Sequence, residues 1–125
     1  MLRQGPIPRF LHGLIEYGVG VLFLAGPSML GFSDQGGPTS ASIVAGVVVL
    51  VVAASTNGPT SLVNQISLGI HVVFDYVLAI ALIAMPFLAG FSDEATPTAF
   101  FITLGAAHLL MTIGTRFRPA KEARR

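Results

Sequence analysis

Four long apolar stretches separated by short polar breaks set the pattern of this chain. Phe10 to Phe32 and Ile66 to Phe91 run past the roughly 20 residues a helix needs to cross a hydrocarbon core about 30 Å thick. They do so even with Pro27 and Pro86 inside them. Thr39 to Thr56 is shorter, but its centre, IVAGVVVLVVAA, is uninterrupted, and Pro97 to Thr115 is the fourth stretch. A Val-rich run such as residues 47–52 reads as a buried strand in a soluble protein. Here length, absence of charge and three similar companions favour a helix, because an open strand in lipid leaves its backbone groups without partners. SDQGGP (33–38) and SDEATP (92–97) read as turns, and NGPTSLVNQ (57–65) as a neutral connection opened by strong helix breakers.

The pattern occurs twice. HGLIEYGVGVLFLAGPSMLGFSDQGGPT (12–39) returns as HVVFDYVLAIALIAMPFLAGFSDEATPT (71–98), with ten of 28 aligned positions identical. The offset is constant, since 71 − 12, 86 − 27 and 97 − 38 all equal 59, and Gly46 pairs with Gly105 at the same distance. Each unit is two helices and an outer turn, so it returns the chain to its starting side. The expected fold is therefore all-α, a four-transmembrane-helix bundle built from two parallel (non-inverted) helical-hairpin repeats. Their pseudo-twofold is expected along the membrane normal, unlike that of inverted transporter repeats. Residues 1–125 read as a single integral membrane domain, with repeat 1 at about 10–56, repeat 2 at about 66–115, and a basic tail at 116–125.

Composition agrees with this. Charged residues make up 10% of the chain and hydrophobic ones 53%, where a soluble domain carries roughly 25% charged residues to solvate its surface. Cysteine is absent, which excludes disulfides, thiolate metal sites and thiol nucleophiles. All seven basic residues lie at the ends, Arg3 and Arg9 in front and Arg116, Arg118, Lys121, Arg124 and Arg125 behind. The positive-inside rule and the even number of spans then agree: both termini are expected in the cytoplasm and both GFSD turns outside, in the cell membrane. The basic run reads as membrane flanking, not as a nucleic-acid site. A cleaved signal peptide fits poorly, since the first apolar run is too long and holds Glu16 and Pro27.

An apolar helix, a Pro near its outer end, a GF turn and a second Gly-containing helix together resemble the SPW-repeat integral membrane proteins. GPSMLGFSD (26–34) and MPFLAGFSD (85–93) stand where that family has its Ser-Pro-Trp motif and turn, although only Pro27 and Pro86 remain of the triplet. The two units cover residues 10–115. The resemblance implies a small bacterial membrane protein and brings no catalytic residues with it. On this pattern Pro27, Gly31, Phe32, Pro86, Gly90 and Phe91 are structural.

Ionisable groups inside a membrane are functional candidates because burying them costs at least about 2.5–3.5 kcal/mol on insertion scales. Glu16 and Asp75 each follow a His by four residues, so His12 and Glu16 share a helix face, as do His71 and Asp75. Each acid precedes a Tyr. The candidate intramembrane polar cluster is thus His12, Glu16, Tyr17, His71, Asp75 and Tyr76, joined by His108, whose repeat mate is Val49. Placed about 24 Å from Phe32 at 1.5 Å per residue, Glu16 is expected in the cytoplasmic half, and Asp75 likewise. The two copies are expected to meet acid toward acid near the pseudo-twofold, with at least one proton between them. One reading is an interhelical hydrogen-bond cluster; others are a proton or cation pathway, a two-His, two-carboxylate metal site, and bis-His haem ligation by His71 with His108 or with His12. Gly46 and Gly105, with Ala41, Ala45 and Ala106, suit close helix contact or oligomerisation.

No phosphate loop, nucleophile elbow, HExxH or dinucleotide fingerprint is present, so no catalytic set, no cofactor and no metal is expected. The leading expectation is a structural or accessory membrane component without its own catalysis, assembling in the lipid bilayer with itself or with a larger complex. The alternative is a small proton- or cation-coupled transporter or channel component using the paired intramembrane acids. A haem- or metal-binding redox protein comes third.

Overall fold

The computed structural model describes residues 5–56 and 58–116, and for Arg116 the backbone alone. The expected basic tail beyond Arg116, Arg3, and Asn57 at the start of the central connection lie outside the described residues. The chain forms β1 (Ile7–Pro8), α1 (Arg9–Met29), α2 (Gly36–Ser55), α3 (Leu68–Leu88), α4 (Ala95–Gly114) and β2 (Thr115–Arg116). All four helices are long and apolar enough to cross a membrane. The helix bounds themselves repeat at the sequence offset, as 68 − 9, 88 − 29, 95 − 36 and 114 − 55 all equal 59.

The helices pack as two hairpins, α1 against α2 and α3 against α4. Small residues set the approach. A Cβ on Gly46 would lie 2.8 Å from the Gly20 carbonyl oxygen, and one on Gly105 would lie 3.1 Å from the Ala79 carbonyl oxygen. These are the same contact one repeat apart, and it is the close backbone packing expected of helices that cannot rely on hydrophobic exclusion in lipid.

The turns explain much of the repeated lettering. α1 ends as a Schellman motif: Gly31 takes φ +78°, and the Phe32 amide donates to the Pro27 carbonyl at 2.9 Å. In α3, Gly90 takes φ +80° and the Phe91 amide reaches Pro86 at 2.8 Å. Phe32 and Phe91 then bury their rings. Their carbonyls accept from the Thr39 and Thr98 hydroxyls at 3.0 and 2.9 Å, fastening the start of the next helix. Pro27 leaves the Phe23 carbonyl without its helical donor. The Ser42 hydroxyl from α2 replaces it at 2.5 Å.

Two features lie beyond the apolar pattern. β1 and β2 form a short parallel pair, Ile7 with Thr115 and Pro8 with Arg116. Thr56 bridges Ile66 in the same parallel sense, one repeat removed from the Ile7–Thr115 pair. The connection from α2 to α3 folds back on α2, where the Leu62 and Val63 amides donate to Ala54 and those of Gln65 and Ile66 to Ser55. These bonds satisfy carbonyls that a helix end otherwise leaves open.

The distribution of side chains is inverted relative to a water-soluble bundle. Val44, Val51, Ile70, Ile80, Phe87 and Leu110 are exposed, while Glu16, Asp75 and all three histidines are buried. The rest of the interior is aromatic toward the GFSD turns. Phe23 meets Phe100 and Phe101 edge-on at 5.2 and 5.4 Å, and Phe91 meets Phe101 at 5.3 Å.

A candidate intramembrane histidine–carboxylate site

Helical spacing puts His12 and Glu16 one turn apart on α1, and His71 and Asp75 one turn apart on α3, near the start of each helix. The bundle turns both pairs inward, where they meet reciprocally. His12 Nε2 lies 3.1 Å from Asp75 Oδ2, and His71 Nε2 lies 2.9 Å from Glu16 Oε2. Within each helix the His–acid distances are 3.5 Å for His12–Glu16 and 3.2 Å for His71–Asp75. One donor atom from each of the four residues lies within 4.8 Å of all the others. The Glu16 and Asp75 carboxylates thus converge, with imidazole nitrogens bridging them. His108 of α4 joins through Nε2, 3.3 Å from Asp75 Oδ1. Its Nδ1 has no hydrogen-bond partner among the described residues. Burial is nearly complete, with His12 2%, His108 1% and Asp75 0% exposed.

Two threonines orient the histidines, and they were not among the residues singled out by sequence. The Thr56 hydroxyl donates to the Val52 carbonyl at 2.7 Å. Its only proton is thereby committed, so its oxygen accepts from His71 Nδ1–H at 2.6 Å. Thr115 repeats the arrangement, donating to Met111 at 2.6 Å and accepting from His12 Nδ1–H at 2.8 Å. Since 115 − 56 equals 59, a signal was present: each repeat unit ends on the same Thr.

This relay fixes the chemistry of the opposite ring nitrogen. With Nδ1 carrying a proton, a neutral imidazole presents a lone pair at Nε2, and an ionised carboxylate presents only lone pairs. Two such groups facing each other at 2.9–3.1 Å would repel. Each reciprocal contact therefore holds one proton, on nitrogen or on oxygen. The cluster can keep two protons, or replace both by something else with two positive charges.

The tyrosines do not share this centre. The Tyr17 hydroxyl turns to the Thr60 carbonyl at 2.8 Å, on the connection that crosses α1 at Gly13, where a Cβ would collide with Thr60 Oγ1. Tyr76 is half-buried, and no bond from it to the cluster is found among the described residues. A crevice of about 30 Å³, room for about one water, reaches His12, Glu16 and His71 from the Arg9, Gly58 and Thr60 side. Pro27, Gly31, Phe32 and their mates Pro86, Gly90 and Phe91 lie at the turns, away from the site.

Neither a curated protein nor a solved structure matches the chain. A family model does: the SPW repeat domain matches over residues 10–116, a range that takes in all four apolar helices but the first residue of α1. The chain belongs to the SPW repeat family.

Proposed function

We infer that this chain is a structural or accessory component of the cell membrane, one integral unit with both tails in the cytoplasm and no catalysis of its own. The observation that carries the reading is the mutual engagement of its intramembrane polar groups. His12, Glu16, His71 and Asp75 face one another, and Phe23, Phe91, Phe100 and Phe101 pack over the side toward the GFSD turns. In this role the cluster clamps one hairpin to the other. The pseudo-twofold relation of two parallel hairpins is supported by the reciprocity of His12–Asp75 with His71–Glu16 and of the two Thr–His bonds. Lipid-facing apolar side chains and short turns leave the helix flanks as the surface for self-association or for a larger complex.

The test is purification from native membranes in a mild detergent. The expected particle is larger than the 13.1 kDa chain, through copies of itself or stable companions. A monomer that carries ions or protons unaided after reconstitution would contradict the reading.

A second reading, a proton- or cation-coupled transporter component, is favoured by the crevice that opens the acid cluster to one end of the bundle. Proteoliposome flux in the wild type, lost in a Glu16→Gln/Asp75→Asn variant that remains folded, would establish it in place of the first.

A further inference from the structure

We propose that His12, Glu16, His71 and Asp75 bind one divalent transition-metal ion of the Zn²⁺ type. A tetrahedral ion with ligand bonds of roughly 2.0–2.1 Å needs donor atoms about 3.3 Å apart. With Asp75 Oδ2 as the fourth donor, three of the six separations are 3.5, 3.1 and 2.9 Å. The other Asp75 oxygen lies 3.2 Å from His71 Nε2, and one donor atom from each residue lies within 4.8 Å of all the others. Three donor pairs thus stand near tetrahedral spacing already, and rotation of the side chains closes the rest.

Three further observations point the same way. The ring nitrogens aimed inward are the ones that ligate, because each Nδ1–H is bound by a threonine whose own proton is committed elsewhere. Such outer hydrogen bonds fix the tautomer and orientation of ligating histidines. His108 Nε2–H donates to Asp75 Oδ1 at 3.3 Å and acts as a positioning residue for that carboxylate. Charge also selects the ion. Two carboxylates and one divalent cation sum to zero, which suits a site surrounded by hydrocarbon. Imidazole with carboxylate suits Zn²⁺ and its neighbours, and none of these four ligands is a thiolate or thioether of the kind Cu(I) prefers.

The step balances in protons. Without metal, each of the two reciprocal His–acid contacts holds one proton. The ion takes both places, forming bonds to His12 Nε2, His71 Nε2 and one oxygen each of Glu16 and Asp75. Two protons leave for every M²⁺ bound, and no electron is transferred. The crevice beside Glu16 and His71 is the entry from the Arg9 end.

The experiment uses the full chain in detergent micelles, stripped with a chelator and titrated with Zn²⁺, with Co²⁺ as the optical probe. The expected result is one ion per chain, about two protons released per ion, and an intense four-coordinate Co²⁺ spectrum. Glu16→Gln should weaken binding at least about tenfold, and Thr56→Val by about 10–100-fold. A triple change of the exposed turn acids, Asp34→Asn, Asp93→Asn and Glu94→Gln, should leave it intact. Should a cluster variant fail to fold, X-ray absorption of the Zn²⁺-loaded wild type decides, because it must show two imidazole ligands. Failure of the wild type to bind Zn²⁺, binding unchanged by Glu16→Gln, or fewer than two imidazoles on the metal would each overturn the proposal.

Discussion

At Thr56 the hydroxyl proton goes to Val52 and the oxygen is left to hold His71 Nδ1–H. Replacing it with Val keeps the shape and removes the acceptor. A buried N–H without a partner costs about 1–3 kcal/mol, so Thr56→Val and Thr115→Val should each lower stability in micelles by that amount. Thr112 is the control. Its hydroxyl donates to the His108 carbonyl at 2.8 Å, an oxygen of its own helix, and Thr112→Val should cost clearly less. A detergent unfolding series on the three variants checks the contrast, and equal losses would contradict it. The acids and histidines of the site were legible in the sequence because charge is conspicuous in an apolar run. The threonines were not, since Thr at a helix end has many ordinary roles and only the fold shows what its oxygen faces. Tyr17 misled for the complementary reason: its spacing beside Glu16 suggested the cluster, yet a residue next in sequence sits about 100° around the helix and finds Thr60 instead.

Each hairpin depends on one close approach, and the first also on a replacement donor. Gly46→Ala would put a Cβ 2.8 Å from a backbone oxygen, which cannot rotate away. The two helices must separate, at about 1–3 kcal/mol. Gly105→Ala meets backbone atoms only at 3.1 Å, the Ala79 oxygen and the Ile83 nitrogen, with the Ile83 Cγ1 at 2.8 Å, so it should be milder. Ser42→Ala should cost about 1–3 kcal/mol by leaving the Phe23 carbonyl, above Pro27, unpaired. Thermal unfolding of the three variants measures the order, with Gly105→Ala the mildest. At this scale the sequence was informative. The 59-residue repeat and the breakers located all four helices, because length and turn residues are local properties. The β1–β2 pair escaped notice, since two-residue strands joining the ends of the chain leave no periodic trace.

Assembly of the two hairpins is a property of the whole chain, and it was the part least visible in the letters. Apolar faces in a bilayer do not announce which side turns inward, as lipid and protein interior are alike in polarity. The polar residues narrowed the choice, but only the folded bundle pairs His12 with Asp75 and His71 with Glu16. Orientation is open to a clean test because the chain has no cysteine. Single replacements Ser33→Cys and Ser92→Cys should both react with an impermeant thiol reagent added outside intact cells. Labelling only after lysis would reverse the topology.

The claim that matters most is that the hairpins are joined through these reciprocal contacts, and a double-mutant cycle on Glu16→Gln and His71→Gln measures it most directly. Stability of the wild type, both single variants and the double variant would be read from unfolding in mixed micelles. The predicted result is a coupling energy of about 1 kcal/mol or more, the double variant losing clearly less than the two singles combined, as residues in direct contact do. Additive losses, agreeing within about 0.3–0.5 kcal/mol as for residues that do not touch, would contradict the account.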